Sequence, residues 1–484
     1  MTSTIRLVSP DHVIDDARAL QLAGTLPSLR SEALQPYLPK ALASAWPRLL
    51  DSLSPGDRGA ATSTWLFDGP VERVLVAALP EQISRHNSPA KPHALTRLVA
   101  QAPSKGPLGV IVALDSADHA LASVCALARI WPTYSRKNGA EDREVVIGLL
   151  GPEGPIDDAD TLKQLQHAAE GVQLAARLVD TPPDDLHTDA YVDLAMELAA
   201  SVGAEIEVIR GQALADRGFG GLWGVGRAAE HPPALVVLTH APAEAERTVC
   251  WVGKGITYDT GGLSIKPKTG MPGMKSDMGG SAAVLAAFCA AVRMGFKDRL
   301  HAVLCLAENA VGPRSIRPDD VLTLYSGRTV EVNNTDAEGR LVLGDGVAYA
   351  AQHLMPDEIV DVATLTGAQM VSTGRLHAGV VCNNDDLEDR AIAAGKRSGD
   401  LVHPLPWAPE FFRKEFKSPV ADMKNSVKDR MNAQSSCAGL FVYEHLMGAG
   451  YEGPWLHVDM AGPSTREERG TGYGVALLLA LVGL

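Results

Sequence analysis

Apolar residues in this chain gather into short, nearly continuous runs, and between the runs the spacing changes to a helical period. In the first region, residues 71–78, 108–114 and 144–150 read as strands, and residues 120–130 and 159–174 read as helices. The helical pattern continues through Leu178 and stops at Thr181-Pro182-Pro183, since consecutive prolines end a helix. Beyond that boundary Thr188-Asp189 offers a cap for a helix over 190–200. The later runs at 234–239, 249–253, 301–307 and 359–363 are more apolar still. Strands of that kind need cover on both faces, as in a mostly parallel or mixed sheet. The expectation is a two-domain α/β protein. A smaller N-terminal α/β domain occupies residues 1–165, a helical linker 166–184, and a C-terminal α/β/α catalytic domain 185–484.

Length and composition agree with this picture. The chain has 484 residues, too many for one ordinary core. It is 46% hydrophobic, with mean hydropathy near zero. The formal charge of -14 argues against nonspecific nucleic-acid binding, which needs a basic field to displace counterions. No apolar run is long enough for a membrane-spanning helix, and the N-terminus lacks a signal-like segment. Six scattered cysteines without a C-x-x-C pair suit reduced, buried thiols in a cytoplasmic protein.

The polar residues that interrupt the strong strands carry the candidate chemistry. Asp336, Glu338 and Arg340 stand at alternate positions, so an extended backbone would turn all three to one side. The segment 253–267 follows a strand and holds Lys254, Asp259 and Lys266 among four glycines. It lacks the spacing of a phosphate-binding loop. Asp277 precedes a small-residue helix over 282–290, where either capping or ligation would use it. Asp259, Asp277, Asp336 and Glu338 in one cleft would repel one another. Two divalent cations, Mn²⁺, Zn²⁺ or Mg²⁺, resolve that conflict and can drive a hydrolysis. Lys266 could then stabilise an oxyanion and Arg340 could hold a carboxylate or small oxyanion. From the residues alone, Lys254 reads as a charge partner of Asp259.

The stretch from Asn334 to Leu341, NTDAEGRL, resembles the signature of the leucyl, or cytosol, aminopeptidase family of dinuclear metallopeptidases. Residues 252–281, Glu308-Asn309, Arg317-Pro318 and the run DVATLTGA at 361–368 are similar to the family in the same order. The resemblance implies that Lys254, Asp259, Asp277, Asp336 and Glu338 bind two metals that share a hydroxide. It assigns Lys266 to the oxyanion and Arg340 to a bicarbonate general base. Thr364, Leu365 and Gly367 match the loop that lines the substrate subsite. Met274 lies ahead of Asp277, where it either lines an apolar pocket favouring leucine or methionine or belongs to the core. Expected partners are peptides with a free N-terminus and further copies of the chain in a hexamer, a dimer of trimers. Asp319 departs from the family pattern, where many members have glycine, and Pro313-Arg314 is also unusual. His457 reads as structural. Competing readings are a scaffold kept for binding alone and a different dinuclear hydrolase.

Overall fold

The computed structural model describes residues 3–103, 105–139 and 142–484. It divides into two compact units, one built mainly from the residues up to Gln173 together with Ala393–Leu401, the other from Leu174–Ile392 and Val402–Val482. The helix Ala159–Asp180 runs without interruption through that division and ends one residue before Thr181-Pro182-Pro183.

In the first unit the strands run in the order Ser3–Leu7, Arg143–Gly151, Leu108–Ala113, Ala19–Gly24, Arg73–Ala78 and Ala60–Trp65. All neighbours are parallel except the last pair. The strand Leu108–Ala113 is buried throughout, which its unbroken apolar run dictates. Ala60–Trp65 alternates between half-buried and exposed positions, as an antiparallel edge strand does.

The second unit has an eight-stranded mixed sheet ordered Val402–Pro404, Ala378–Cys382, Trp455–Asp459, Glu358–Ala363, Thr248–Asp259, Arg299–Asn309, Ala234–His240 and Glu205–Arg210. The four central strands, Trp455–Asp459 to Arg299–Asn309, are mutually parallel, so their C-terminal ends share one edge. Helices cover both faces, and alternation along Thr248–Asp259 shows how. A Cβ at Gly253 would come within 2.5 Å of Ser281 on the helix Gly279–Arg293. Val252 points the other way, toward Gly346 on the helix Gly339–His353. Missing side chains thus let each helix approach the sheet closely. The α/β/α arrangement expected from the apolar runs is present.

Two local expectations are corrected. The helix after the double proline starts at Thr188, and His187 caps it, with Nδ1 accepting from the backbone of Ala190 at 3.3 Å. The backbone of the signature is not extended. It turns at Thr335-Asp336 and enters the helix Gly339–His353.

Candidate metal centre

The central edge of the sheet collects the predicted carboxylates. Strand Thr248–Asp259 projects past its neighbour Glu358–Ala363, whose last paired residue is Val362, opposite Gly253. Lys254 therefore stands where the neighbour ends, and its Nζ donates to the carbonyl of Thr364 at 2.8 Å. A register shift between Ile256 and Asp259 inserts one residue relative to Arg299–Asn309. That bulge brings Lys254 and Asp259, five positions apart, onto the same side. Asp277 lies in the turn Met274–Met278, and Glu338 immediately precedes the helix Gly339–His353. The positive ends of two helices, starting at Gly279 and Gly339, thus adjoin carboxylates.

The contacts assign partners that the sequence reading did not. Lys254 Nζ lies 2.7 Å from Asp277 and 3.1 Å from Glu338, so its direct partners are these two rather than Asp259. Lys266 takes Asp259, at 2.8 Å, and Asp336, at 2.6 Å. Asp277 makes no cap; it accepts from Lys254 and from Thr364 Oγ1 at 2.8 Å. Oxygens of Asp259, Asp336 and Glu338 all lie within 4.8 Å of one another. Asp259, Asp277, Glu338 and Lys254 are buried, while Asp336 and Lys266 are half-buried.

Electrostatics follow from this crowding. Burial, with the charge of Glu338 adding to it, raises the Asp259 carboxyl above its usual range. Burial likewise raises Asp277, well above that range, and Asp336. For Lys254, burial opposes the charge, but Asp277, Glu338 and Asp259 outweigh it and push the pKa up. Lys266 rises similarly, its burial outweighed by Asp259 and Asp336. Burial lowers Arg340 to about 10.

The donor set fits divalent cations. Glu338 Oε2 is buried without a hydrogen-bond partner among the described residues, although the lysines occupy the neighbouring oxygens. An orphaned, desolvated carboxylate oxygen amid three other carboxylates is the condition a bound cation relieves. Arg340 is buried too, and its Nε and Nη1 have no hydrogen-bond partner among the described residues. Thr364 is buried, Leu365 half-buried, and Gly367 opens the helix Gly367–Ser372 with empty space around its α-carbon. Asp459, at the end of the adjacent strand, holds this loop by accepting from the backbone of Leu365 at 3.0 Å and from Thr366 Oγ1 at 2.6 Å. Met274 is half-buried at the start of the turn that carries Asp277.

Three supporting residues received no role in the sequence reading, although Asn309 and Gly339 lie in segments that carry the resemblance. Asn309 donates to Asp259 at 2.8 Å and to the carbonyl of Thr335 at 3.1 Å, tying the two ligand loops together. Asn425 accepts from the backbone of Asn333 and Asn334 and donates to the carbonyls of Asn334 and Ala337, so one buried amide frames the signature turn. Gly339 leaves the room that Lys254 fills: a Cβ there would lie 2.6 Å from Lys254 Cε. The bonds that Asn309 and Asn425 make require three-dimensional pairing to be seen, whereas the glycine inside the signature could have been questioned.

His457 is fully buried, with Nδ1 2.5 Å from Asp361, which also accepts from Trp455 Nε1 at 2.8 Å. This supports the structural reading of His457. Asp319 has a left-handed φ of 76°, a conformation that favours glycine. A second group, His187, Asp189 and His231, is arranged poorly for a metal. The Nδ1 lone pair of His187 caps a helix, the imidazole rings stack 3.5 Å apart, and Asp189 pairs with Arg210.

An α/β/α sheet whose parallel strand ends carry clustered carboxylates and two lysines defines a metal-dependent hydrolase. Comparison with known proteins narrows the class. Residues 173–479 match the cytosol aminopeptidase family, catalytic domain, and residues 24–140 match the M17 aminopeptidase N-terminal domain 2. A mouse protein described as probable aminopeptidase NPEPL1 is 50% identical over 478 residues, 96% of this chain and 90% of that one. Leucine aminopeptidase 1 of Caenorhabditis elegans is 45% identical over 416 residues, 85% of this chain and 84% of its own. The solved structure of the C. elegans enzyme superposes with a TM-score of 0.92 at 38% identity, covering 100% of this chain and 98% of that one. The Trypanosoma brucei leucyl aminopeptidase in complex with bestatin gives 0.91 at 37% identity, covering 100% and 96%.

The chain belongs to the cytosol aminopeptidase family, and it is a metal-dependent exopeptidase. A cytoplasmic location goes with this membership, and all six cysteines are buried. No helix among the described residues is long and apolar enough to cross a membrane.

Proposed function

We propose that this chain removes the N-terminal residue of peptides, with leucine, methionine or another apolar side chain preferred, at a site that holds two divalent cations. The observation that carries the reading is the convergence of Asp259, Asp336 and Glu338 within 4.8 Å, with a buried, unpartnered oxygen on Glu338. Lys254, Asp259, Asp277, Asp336 and Glu338 would hold the cations, Mn²⁺ or Zn²⁺ and less readily Mg²⁺. When bound, these ions supply Lewis acidity toward the scissile carbonyl and lower the pKa of water.

The remaining work belongs to the chain. The pKa of Lys266 is raised, so it stays charged at neutral pH, beside Asp259 and Asp336, where it meets negative charge developing on the substrate oxygen. Arg340 offers orphaned N–H groups that suit a small oxyanion such as bicarbonate, whose role would be to accept the proton. The Asp459-braced segment Thr364 to Gly367 supplies a wall for the substrate, and Met274 adds a thioether to an apolar pocket. A free N-terminal amine is the expected handle at the metals. We assign residues 1–165 to contacts between chains and shielding of the site, residues 166–184 to the link, and 185–484 to catalysis, in a homohexamer built as a dimer of trimers. A formal charge of -14 argues against nucleic acid as a partner.

Glu338→Ala tests the mechanism. Hydrolysis of leucyl and methionyl amides with added Mn²⁺ should be abolished while circular dichroism and melting remain those of the folded protein. Full turnover in that variant would sink the metallohydrolase reading, whereas a wild type inert on both amides would replace it with a binding-only role for the scaffold.

A further inference from the structure

Beside the signature turn lies a recess of about 610 Å³ lined by Asn333, Lys414, Glu415, Lys417, Lys424 and Lys428. In a chain of net charge -14 this is a local concentration of positive charge. Glu415 is the one carboxylate in this lining, and Glu331 pairs with one of the lysines. Glu415 accepts from the backbone of Asp429 at 3.0 Å and from Asn432 Nδ2 at 2.8 Å. Glu331 accepts from Ser418 and pairs with Lys424 at 3.2 Å. Lys414, Lys417 and Lys428 are exposed and make no ion pair among the described residues. The lining therefore carries four lysines against one carboxylate, an excess of positive charge.

Its position relates it to the metal centre. The Asn333 side chain exchanges hydrogen bonds with Ser426, at 2.9 and 3.3 Å, which fixes the wall that continues to Lys428. Asn333 is three residues from Asp336, so their α-carbons are at most about 11 Å apart. An extended peptide covers that span in roughly three residues. A substrate held by its N-terminus near Asp336 has its next few residues within reach of these lysines.

We propose that this recess is a subsite for the downstream part of the substrate and selects peptides with acidic residues two to three positions beyond the cleaved bond. The inference rests on the aminopeptidase reading. Its discriminating groups are Lys417 and Lys428, which touch none of the metal-site residues in the contacts described above.

The test compares kcat/KM for Leu-Gly-Glu-Glu and Leu-Gly-Lys-Lys, with leucyl amide as a substrate too short to reach the recess. Wild type should favour the acidic peptide about fivefold, the scale of a few exposed charge contacts, and the preference should shrink at about 0.5 M salt. In the double variant Lys417→Glu/Lys428→Glu the preference should invert, with leucyl amide hydrolysis unchanged. Should that variant fail to fold, Lys417→Ala/Lys428→Ala should abolish the preference. Equal rates on both peptides in wild type, or the same preference in a folded variant, would overturn the proposal. If wild type does not cleave leucyl amide, the aminopeptidase reading fails and the subsite falls with it.

Discussion

At the scale of single residues, the site depends as much on what is missing as on what is charged. Gly339 opens the helix after Glu338, and a side chain there would enter the volume of Lys254, 2.8 Å from its Nζ. Alanine is the better helix former by about 0.5–1 kcal/mol, so Gly339→Ala should leave global stability nearly unchanged. It should nevertheless displace the Lys254 amine from Asp277 and Glu338. A misplacement on the order of 1 Å costs roughly 100-fold in rate, and kcat/KM on leucyl amide should fall by about that factor. Activity within twofold of wild type would show that Lys254 does not need its place. The sequence made the charged residues legible because they stand in short runs after strong strands. It did not show that Lys254 pairs with Asp277 and Glu338, since the pairing depends on a bulge and on two loops meeting in space.

Among the secondary-structure elements, the continuous apolar strands could be read directly and the alternating ones could not. Leu108–Ala113 and Thr248–Asp259 announce themselves, whereas Ala60–Trp65 is small and polar and takes its conformation from Arg73–Ala78. Asn425 is similar: nothing in its neighbourhood of the sequence indicates that it frames the turn before Asp336. Elements also carry a pH liability. His301 on the strand Arg299–Asn309 is held down to about 4 by burial, with Arg299 adding to the effect. His445 on the helix Gln434–Gly448 is held down to about 3 by burial and Arg328, and its Nε2 has no hydrogen-bond partner among the described residues. In the unfolded chain both titrate near 6.5, so below that pH the unfolded state takes up protons that the folded state refuses. Stability is therefore lost as pH falls from about 6.5 toward 4, by at most about 1.4 kcal/mol per pH unit for each histidine. In urea unfolding, His445→Gln should be less stable than wild type at pH 7.5 but should lose less on acidification to pH 5. Equal slopes would remove His445 from the account.

For the whole molecule, the two α/β units and the family membership give the chain its class, and the edge of one sheet gives it its chemistry. The parallel ends of Thr248–Asp259, Arg299–Asn309, Glu358–Ala363 and Trp455–Asp459 bring Asp259, Asn309, Thr364 and Asp459 to a common edge, as open α/β sheets do with their ligand sites. The charged residues gathered there could be read from the sequence, while the contacts that hold them in place could not. We expect this edge to bind two divalent ions and turnover to require both. Titration of the metal-stripped protein with Mn²⁺, with ion binding and leucyl amide hydrolysis followed together, tests it most directly. The account predicts two ions per chain, with activity rising as the second binds. Full turnover by the stripped protein, or activity complete with a single ion bound, would contradict it.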